Sequence, residues 1–214
     1  MVDYNSDEER FTAIIDFLKR NQKSILLIFS AVLFVGISSI SISAYEDTKN
    51  TKAAALYDVW FLGNTANTPE LTETEDAYAL LQENFSKTGY AGLARVIKGS
   101  QFAQDGDLKL SLQEFSELLD STSGLMGNHV LNSIARINIA RIELANKNYS
   151  NVLEALGPLN SNSEHSMVYE LKGDALAGLN KKELALAQYN LALINMKDES
   201  QQSLLNMKIN YLTQ

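Results

Sequence analysis

The stretch SMVYELKGDALAGLNKKELALAQYNLALIN, residues 166–195, reads as two amphipathic helices joined by a polar turn at Asn180-Lys181-Lys182. Tyr169, Gly173 and Leu176 share one face of the first helix, and Ala185, Tyr189 and Ala192 share one face of the second. Stepping back 33 residues places Arg136, Ala140, Glu143, Val152, Leu156 and Leu159 at the same six points. A further step of 41 places Arg95, Gly99, Phe102, Ser111, Phe115 and Leu118 there. Small residues at Gly99, Ala140 and Gly173 let two helices approach, and Phe115, Leu156 and Tyr189 fill the space beside them. Polar turns recur at Asp105-Gly106-Asp107 and Asn146-Lys147-Asn148. The longer step is absorbed by Ser121–Asn128 (STSGLMGN), a loop by composition.

A helix–turn–helix unit repeating at about 34 residues is the tetratricopeptide period. Arg136 and Glu143 make the middle copy a poor one, because apolar residues are expected there. Three units, with helices before and after them, suffice for a continuous solenoid core. The competing reading is an unrelated helical bundle with coincidental spacing. Upstream, Ala53, Leu56, Tyr57, Trp60 and Phe61 form one stripe, ended by Gly63-Asn64 and the Thr68-Pro69 turn. Ala77, Leu80, Leu81 and Phe85 form the next. No alternating pattern suggests a strand, so the expected fold is all-α.

Further towards the N-terminus the solvent changes. Ser24 to Ala44 (SILLIFSAVLFVGISSISISA) carries no charge, and as a helix it spans roughly 31 Å, the hydrocarbon thickness of a bilayer. Only a helix satisfies a lone segment's backbone in lipid, and a single transmembrane helix over residues 24–44 is expected. A cleaved signal peptide is a rival, since Ser41 and Ser43 mimic a cleavage site, but its apolar core is shorter, at about 7–15 residues. A buried core helix is the other rival. Lys19, Arg20 and Lys23 lie just before the span, while Lys49 and Lys52 lie further out among acids. That bias predicts a cytoplasmic N-terminus (residues 1–23) and a large C-terminal domain (residues 45–214) across the membrane. Gly36, Ser39 and Ser43 share one face of the span, which suits either close approach of a partner helix or hydroxyls bonded back to their own helix. Before it, Phe11, Ile14, Ile15 and Leu18 make an amphipathic stripe of two turns, which must lie on lipid or on a partner to be stable.

Composition narrows the chemistry. The formal charge of -8 argues against nucleic acid. Zero cysteines exclude disulfides and thiolate metal sites, and two histidines, His129 and His165, have no ligand partners at metal spacing. Glu73, Glu75 and Asp76 precede an apolar run, where acids favour a helix N-terminus. No GxSxG, Walker loop or HExxH occurs. No enzyme activity, metal or cofactor is expected.

Several segments, in order, resemble the bacterial YfgM family: Phe17-Leu18-Lys19-Arg20-Asn21-Gln22-Lys23 running into the span, Phe85 with Tyr90-Ala91-Gly92-Leu93-Ala94, Lys172-Gly173-Asp174-Ala175, and Met207-Lys208-Ile209-Asn210-Tyr211-Leu212. The likeness covers essentially the whole length and rests on order and spacing. It implies an inner-membrane ancillary subunit of the SecYEG translocon with a periplasmic TPR-like domain. That subunit associates with the chaperone PpiD and passes emerging secretory proteins to periplasmic chaperones. The alternative is a membrane-anchored TPR scaffold of another envelope complex, in division or cell-wall assembly. A third reading is a released periplasmic domain.

In such arrays the first helix of each pair lines the concave face. The lining positions are Leu93, Val96, Ser100 and Ala103, then Ile134, Ile137, Arg141 and Leu144, then Met167, Glu170, Asp174 and Ala177. Leu93, Val96, Ile134, Ile137, Arg141, Met167 and Glu170 are the expected partner-binding residues, with an apolar segment or an unfolded client as ligand. The opposing expectation is that the closing helix (Leu204, Leu205, Met207, Ile209, Leu212) or the Trp60 helix fills the groove.

Overall fold

The computed structural model describes residues 7–66, 71–125, 127–159 and 166–213. Among these, every regular element is a helix: α1 (Asp7–Arg20), α2 (Gln22–Thr65), α3 (Leu71–Phe85), α4 (Gly89–Gln104), α5 (Leu108–Ser121), α6 (His129–Ala145), α7 (Tyr149–Leu156), α8 (Ser166–Gly178), α9 (Lys182–Asn195) and α10 (Glu199–Thr213). The chain divides into two compact units, residues 1–52 and 53–214.

In the first unit, Asn21 separates α1 from α2. Its backbone N–H and its side-chain amide both donate to the carbonyl of Phe17, at 3.0 and 2.9 Å. The apolar residues here face outward: Leu26, Leu27, Phe29, Val32 and Phe34 are all exposed. α2 is long and apolar enough to cross a membrane, with a window of mean hydropathy 2.6. It continues to Thr65, so the expected span and the Trp60 stripe belong to one helix. The helix runs through Gly63-Asn64, and the Thr68-Pro69 turn lies outside the described residues.

The second unit starts with an aromatic cluster. Trp60 is buried against Ala53, Ala77, Tyr78 and Leu81, and against Ala91 and Ala94 of α4. Tyr57 lies 5.6–5.8 Å from the rings of Trp60, Phe61 and Tyr90. The helices then pack in chain order, α4 on α5, α5 on α6, and so on to α9 and α10. The first helices of successive pairs also touch, α4 with α6 and α6 with α8. That is the stacking of a solenoid.

Side-chain caps set the helix starts. Thr88 accepts from the Ala91 N–H, Asp107 from Leu110, and Asn128 from both Val130 and Leu131. The turns inside the pairs are copies of one another. Gly106, Lys147 and Asn180, which occupy equivalent places in the three units, all have positive φ (84°, 60° and 57°). After each comes the same backbone bond, Asp107 N–H to Phe102 O, Asn148 to Glu143 and Lys181 to Leu176, at 2.8, 2.8 and 2.9 Å. This is a Schellman stop, which uses a left-handed residue to satisfy the last helical carbonyls. Its recurrence fixes the register of the repeat independently of the core.

The core follows the small–bulky pairing. A Cβ added to Gly99 would come 3.0 Å from the Phe115 ring, and one added to Gly173 would come 2.4 Å from that of Tyr189. Ala140 and Leu156 are both fully buried in one cluster.

The charged residues of the repeat are accommodated by local bonds. Arg95 is buried and pairs with Glu114 at 2.8 Å and with Glu117. Glu143 is buried and accepts from Asn148 and Asn151 at 2.7 and 3.1 Å. Arg136 donates to Asn132 and to the carbonyl of Ala155, at 2.9 and 3.2 Å. The second unit's irregular sequence therefore folds as a regular unit because each polar group finds a partner within it.

Candidate partner-binding surface

The concave positions fall into an open part and a closed part. In the first repeat Leu93 is 45% exposed, and Val96 is half-buried against the cluster holding Phe115 and Leu131. In the second, Ile134 packs on that same cluster and Ile137 on the cluster holding Ala140 and Leu156. Part of the expected apolar groove is therefore already used by the core. Arg141 is exposed, and its guanidinium Nη2 lies 2.9 Å from Met167 Sδ. Among the described residues it has no carboxylate partner within ion-pair distance. Met167 is 40% exposed. Leu93, Arg141 and Met167 are thus the most accessible of the seven predicted residues.

The third unit is covered. Lys208 of α10 places its ammonium 2.7 Å from Glu170 Oε1 and 2.8 Å from both oxygens of Asp174. Tyr189 donates to Asp174 Oδ1 at 2.8 Å. Burial lowers the pKa of Lys208, but hydrogen bonds and charge from Asp174 and Glu170 more than reverse this, leaving it above its ordinary value. Burial, reinforced by the bond to Asp174, holds the Tyr189 hydroxyl in its protonated form well above the usual tyrosine range. Leu205 completes the closure, fully buried with Tyr169, Leu176 and Met196. The closing helix therefore fills the third unit around Glu170 and Asp174, leaving Met167 open, and Trp60 packs in a cluster that contains neither Leu93 nor Val96.

α10 also walls a cavity of about 780 Å³ between the turns after α6 and α8. Leu144, Tyr149, Ala177, Met207 and Tyr211 give it apolar walls, and Lys147 lies at its edge. Met207 and Tyr211 are 64% and 80% exposed, so the outer side of α10 continues this surface. Sequence reasoning named Met207 as a filler of the groove and placed Lys147 in a turn and Lys208 in the segment that carries the family likeness, without giving either lysine a role at this surface. The available signal was the spacing of Glu170 and Asp174, which puts two acids on one helical face in need of a cation.

Nothing lies within 4 Å of where a Gly36 Cβ would be, and Ser43 is exposed. His129 is exposed as the first residue of α6, and His165 lies outside the described residues. Glu75 pairs with Lys98 at 2.7 Å. Among the described residues no group of three or more His, Cys, Asp or Glu is placed to hold a metal ion.

A model of the tetratricopeptide repeat-like domain family matches residues 16–214. The chain belongs to that family. No curated protein and no solved structure matches it. A tetratricopeptide repeat-like domain is a protein–protein interaction scaffold, and its concave surface here divides into an open N-terminal stretch and a C-terminal stretch closed by α10.

Proposed function

We propose that this chain is a non-enzymatic ancillary subunit of the SecYEG translocon. The uncharged part of α2 holds it in the bacterial inner membrane, with the N-terminus cytoplasmic and the repeat domain periplasmic. There it links protein export to a PpiD-type chaperone and to unfolded secretory proteins. The observation that carries the binding part of this reading is the open concave stretch. Leu93 and Met167 are exposed at lining positions, and Arg141, in contact with Met167, has no carboxylate within ion-pair distance among the described residues. An apolar segment with an acidic flank matches that surface. The translocon and the chaperone come from the family resemblance of the sequence, and the alternative is a scaffold of a division or cell-wall complex.

The test is photo-crosslinking in living cells from a photoreactive residue at Leu93, Met167 or Gly36. Recovery of translocon or PpiD-type peptides supports the reading. Recovery of division or cell-wall proteins in their place overturns it in favour of the alternative.

A further inference from the structure

Resting on the proposed membrane anchor, we infer that α1 is an interfacial helix lying flat on the bilayer surface from which the span emerges. Its occupant is lipid, not a protein groove.

Among the described residues, the apolar face of α1 stays exposed in its own unit. Phe11 is 67% exposed, Ile14 56% and Leu18 47%. These residues recur at helical spacing, so they form one stripe and cannot be hidden from each other's side. A helix of 14 residues with such a face is marginal in water.

Three features of the unit select lipid. First, only Asn21 separates α1 from α2, and the uncharged segment starts at Ser24, so α1 is tethered within a few residues of the hydrocarbon boundary. At that tether length the local concentration of bilayer surface far exceeds that of any soluble partner. Second, α1 and α2 are separate elements interrupted at Asn21, whose side-chain amide shares the Phe17 carbonyl with its backbone N–H, so any change of direction between them falls there. Third, over residues 11–20 the charges are sorted about the stripe, Asp7 and Glu8 of the first turn lying before it. At 100° per residue, Lys19 falls about 90° from the stripe's centre, where its stem can follow the surface and its ammonium reach phosphate headgroups. Asp16 and Arg20 fall about 150–170° away, on the water side. Over that segment a stripe with Lys19 at its flank and Asp16 opposite is the arrangement of a surface-lying helix.

The chain contains no cysteine, so single-cysteine nitroxide labels report cleanly. The full-length protein is reconstituted in vesicles of phosphatidylethanolamine and phosphatidylglycerol, with labels at Ile14→Cys, Leu18→Cys, Asp16→Cys, Arg20→Cys and, within the span, Val32→Cys. Collision with oxygen reports lipid, and collision with a water-soluble nickel chelate reports solvent. The expected result is an oxygen-to-nickel ratio several-fold higher at 14 and 18 than at 16 and 20, with 32 deepest. Equal nickel access at 14, 16, 18 and 20, with 32 still in lipid, overturns the inference and leaves the anchor standing. Shielding of 14 and 18 from both reagents means that protein covers the stripe, and also overturns it. Nickel access at 32 overturns the anchor itself and the inference with it.

Discussion

Lys208 and Asp174, 34 positions apart in the chain, meet with the ammonium 2.8 Å from each carboxylate oxygen. The contact joins the closing helix to the concave face of the last repeat, and with Glu170 it makes that face an intramolecular surface. Two of the segments that carry the family likeness, Lys172–Ala175 and Met207–Leu212, thus touch in space.

This closure is predicted to be pH-dependent on the alkaline side. Lys208 has its pKa raised in the folded chain, so its contribution is present below the unfolded value of 10.5 and fades as pH rises through the folded value. Tyr189, also raised, acts in the same direction, because ionisation above its unfolded value of 10.0 opposes folding. Hydrogen exchange across α10 should therefore accelerate above about pH 10 before that of α4 and α5 does. In Lys208→Met the selective alkaline loosening should be reduced and α10 should exchange faster already at neutral pH. Unchanged α10 protection in that variant contradicts the role given to Lys208.

Replacing Gly173 by alanine tests the small–bulky rule of the repeat. The added Cβ meets Tyr189 at 2.4 Å, far inside van der Waals contact. Overpacking of this kind costs about 1–3 kcal/mol, against a helix-propensity gain of about 1 kcal/mol at most. A net loss of about 1–2 kcal/mol is expected, seen as a thermal midpoint several degrees lower in detergent-solubilised protein. Gly89→Ala, with nothing within 4 Å of the new carbon, should be neutral or stabilising.

Much of this was legible in the sequence, and for a physical reason. Gly99, Ala140 and Gly173 stand opposite bulky residues because crossing helices require it, so a fixed offset exposes the whole array. That Ser24–Ala44 is helical was legible because a long uncharged run favours one continuous helix, and α2 contains it. The accommodation of Arg95 and Glu143 was not, since their partners, Glu114, Asn148 and Asn151, are polar residues that read equally well as solvated. The polar turn was visible in all three units, but not that its left-handed residue would be Gly106 in one and Lys147 and Asn180, which carry a Cβ, in the others. The partial burial of Ile134 and Ile137 and the docking of α10 depend on contacts that no periodicity encodes.

That left-handed turn gives a stabilising substitution. Lys147 holds φ at 60°, a region costing about 1–2 kcal/mol for residues with a Cβ. Lys147→Gly relieves this at an unfolded-state cost of about 0.4–1 kcal/mol. The midpoint of urea unfolding should rise by the equivalent of about 0.5–1 kcal/mol. A fall would mean that the Lys147 side chain contributes more than its backbone strain removes.

The Arg95 network is predicted to depend unequally on its two acids. Glu114 has a side chain only 14% exposed and also accepts from Tyr78, whereas Glu117 is 44% exposed. Glu114→Ala leaves a buried guanidinium and a buried tyrosine hydroxyl short of partners, and breaking such a pair costs about 3–5 kcal/mol. Glu117→Ala should cost much less, because solvent already screens that charge. Urea unfolding of the two variants checks the order, and equal losses would contradict it.

Whether lipid surrounds the start of α2 decides the proposed role more directly than any property of the repeats. Membranes carrying the full-length chain should be washed with alkaline carbonate, and the polypeptide in pellet and supernatant weighed by mass spectrometry. The account predicts the intact 214-residue chain in the pellet. Intact chain in the supernatant, or a soluble form that has lost the residues before Ala44, would contradict it.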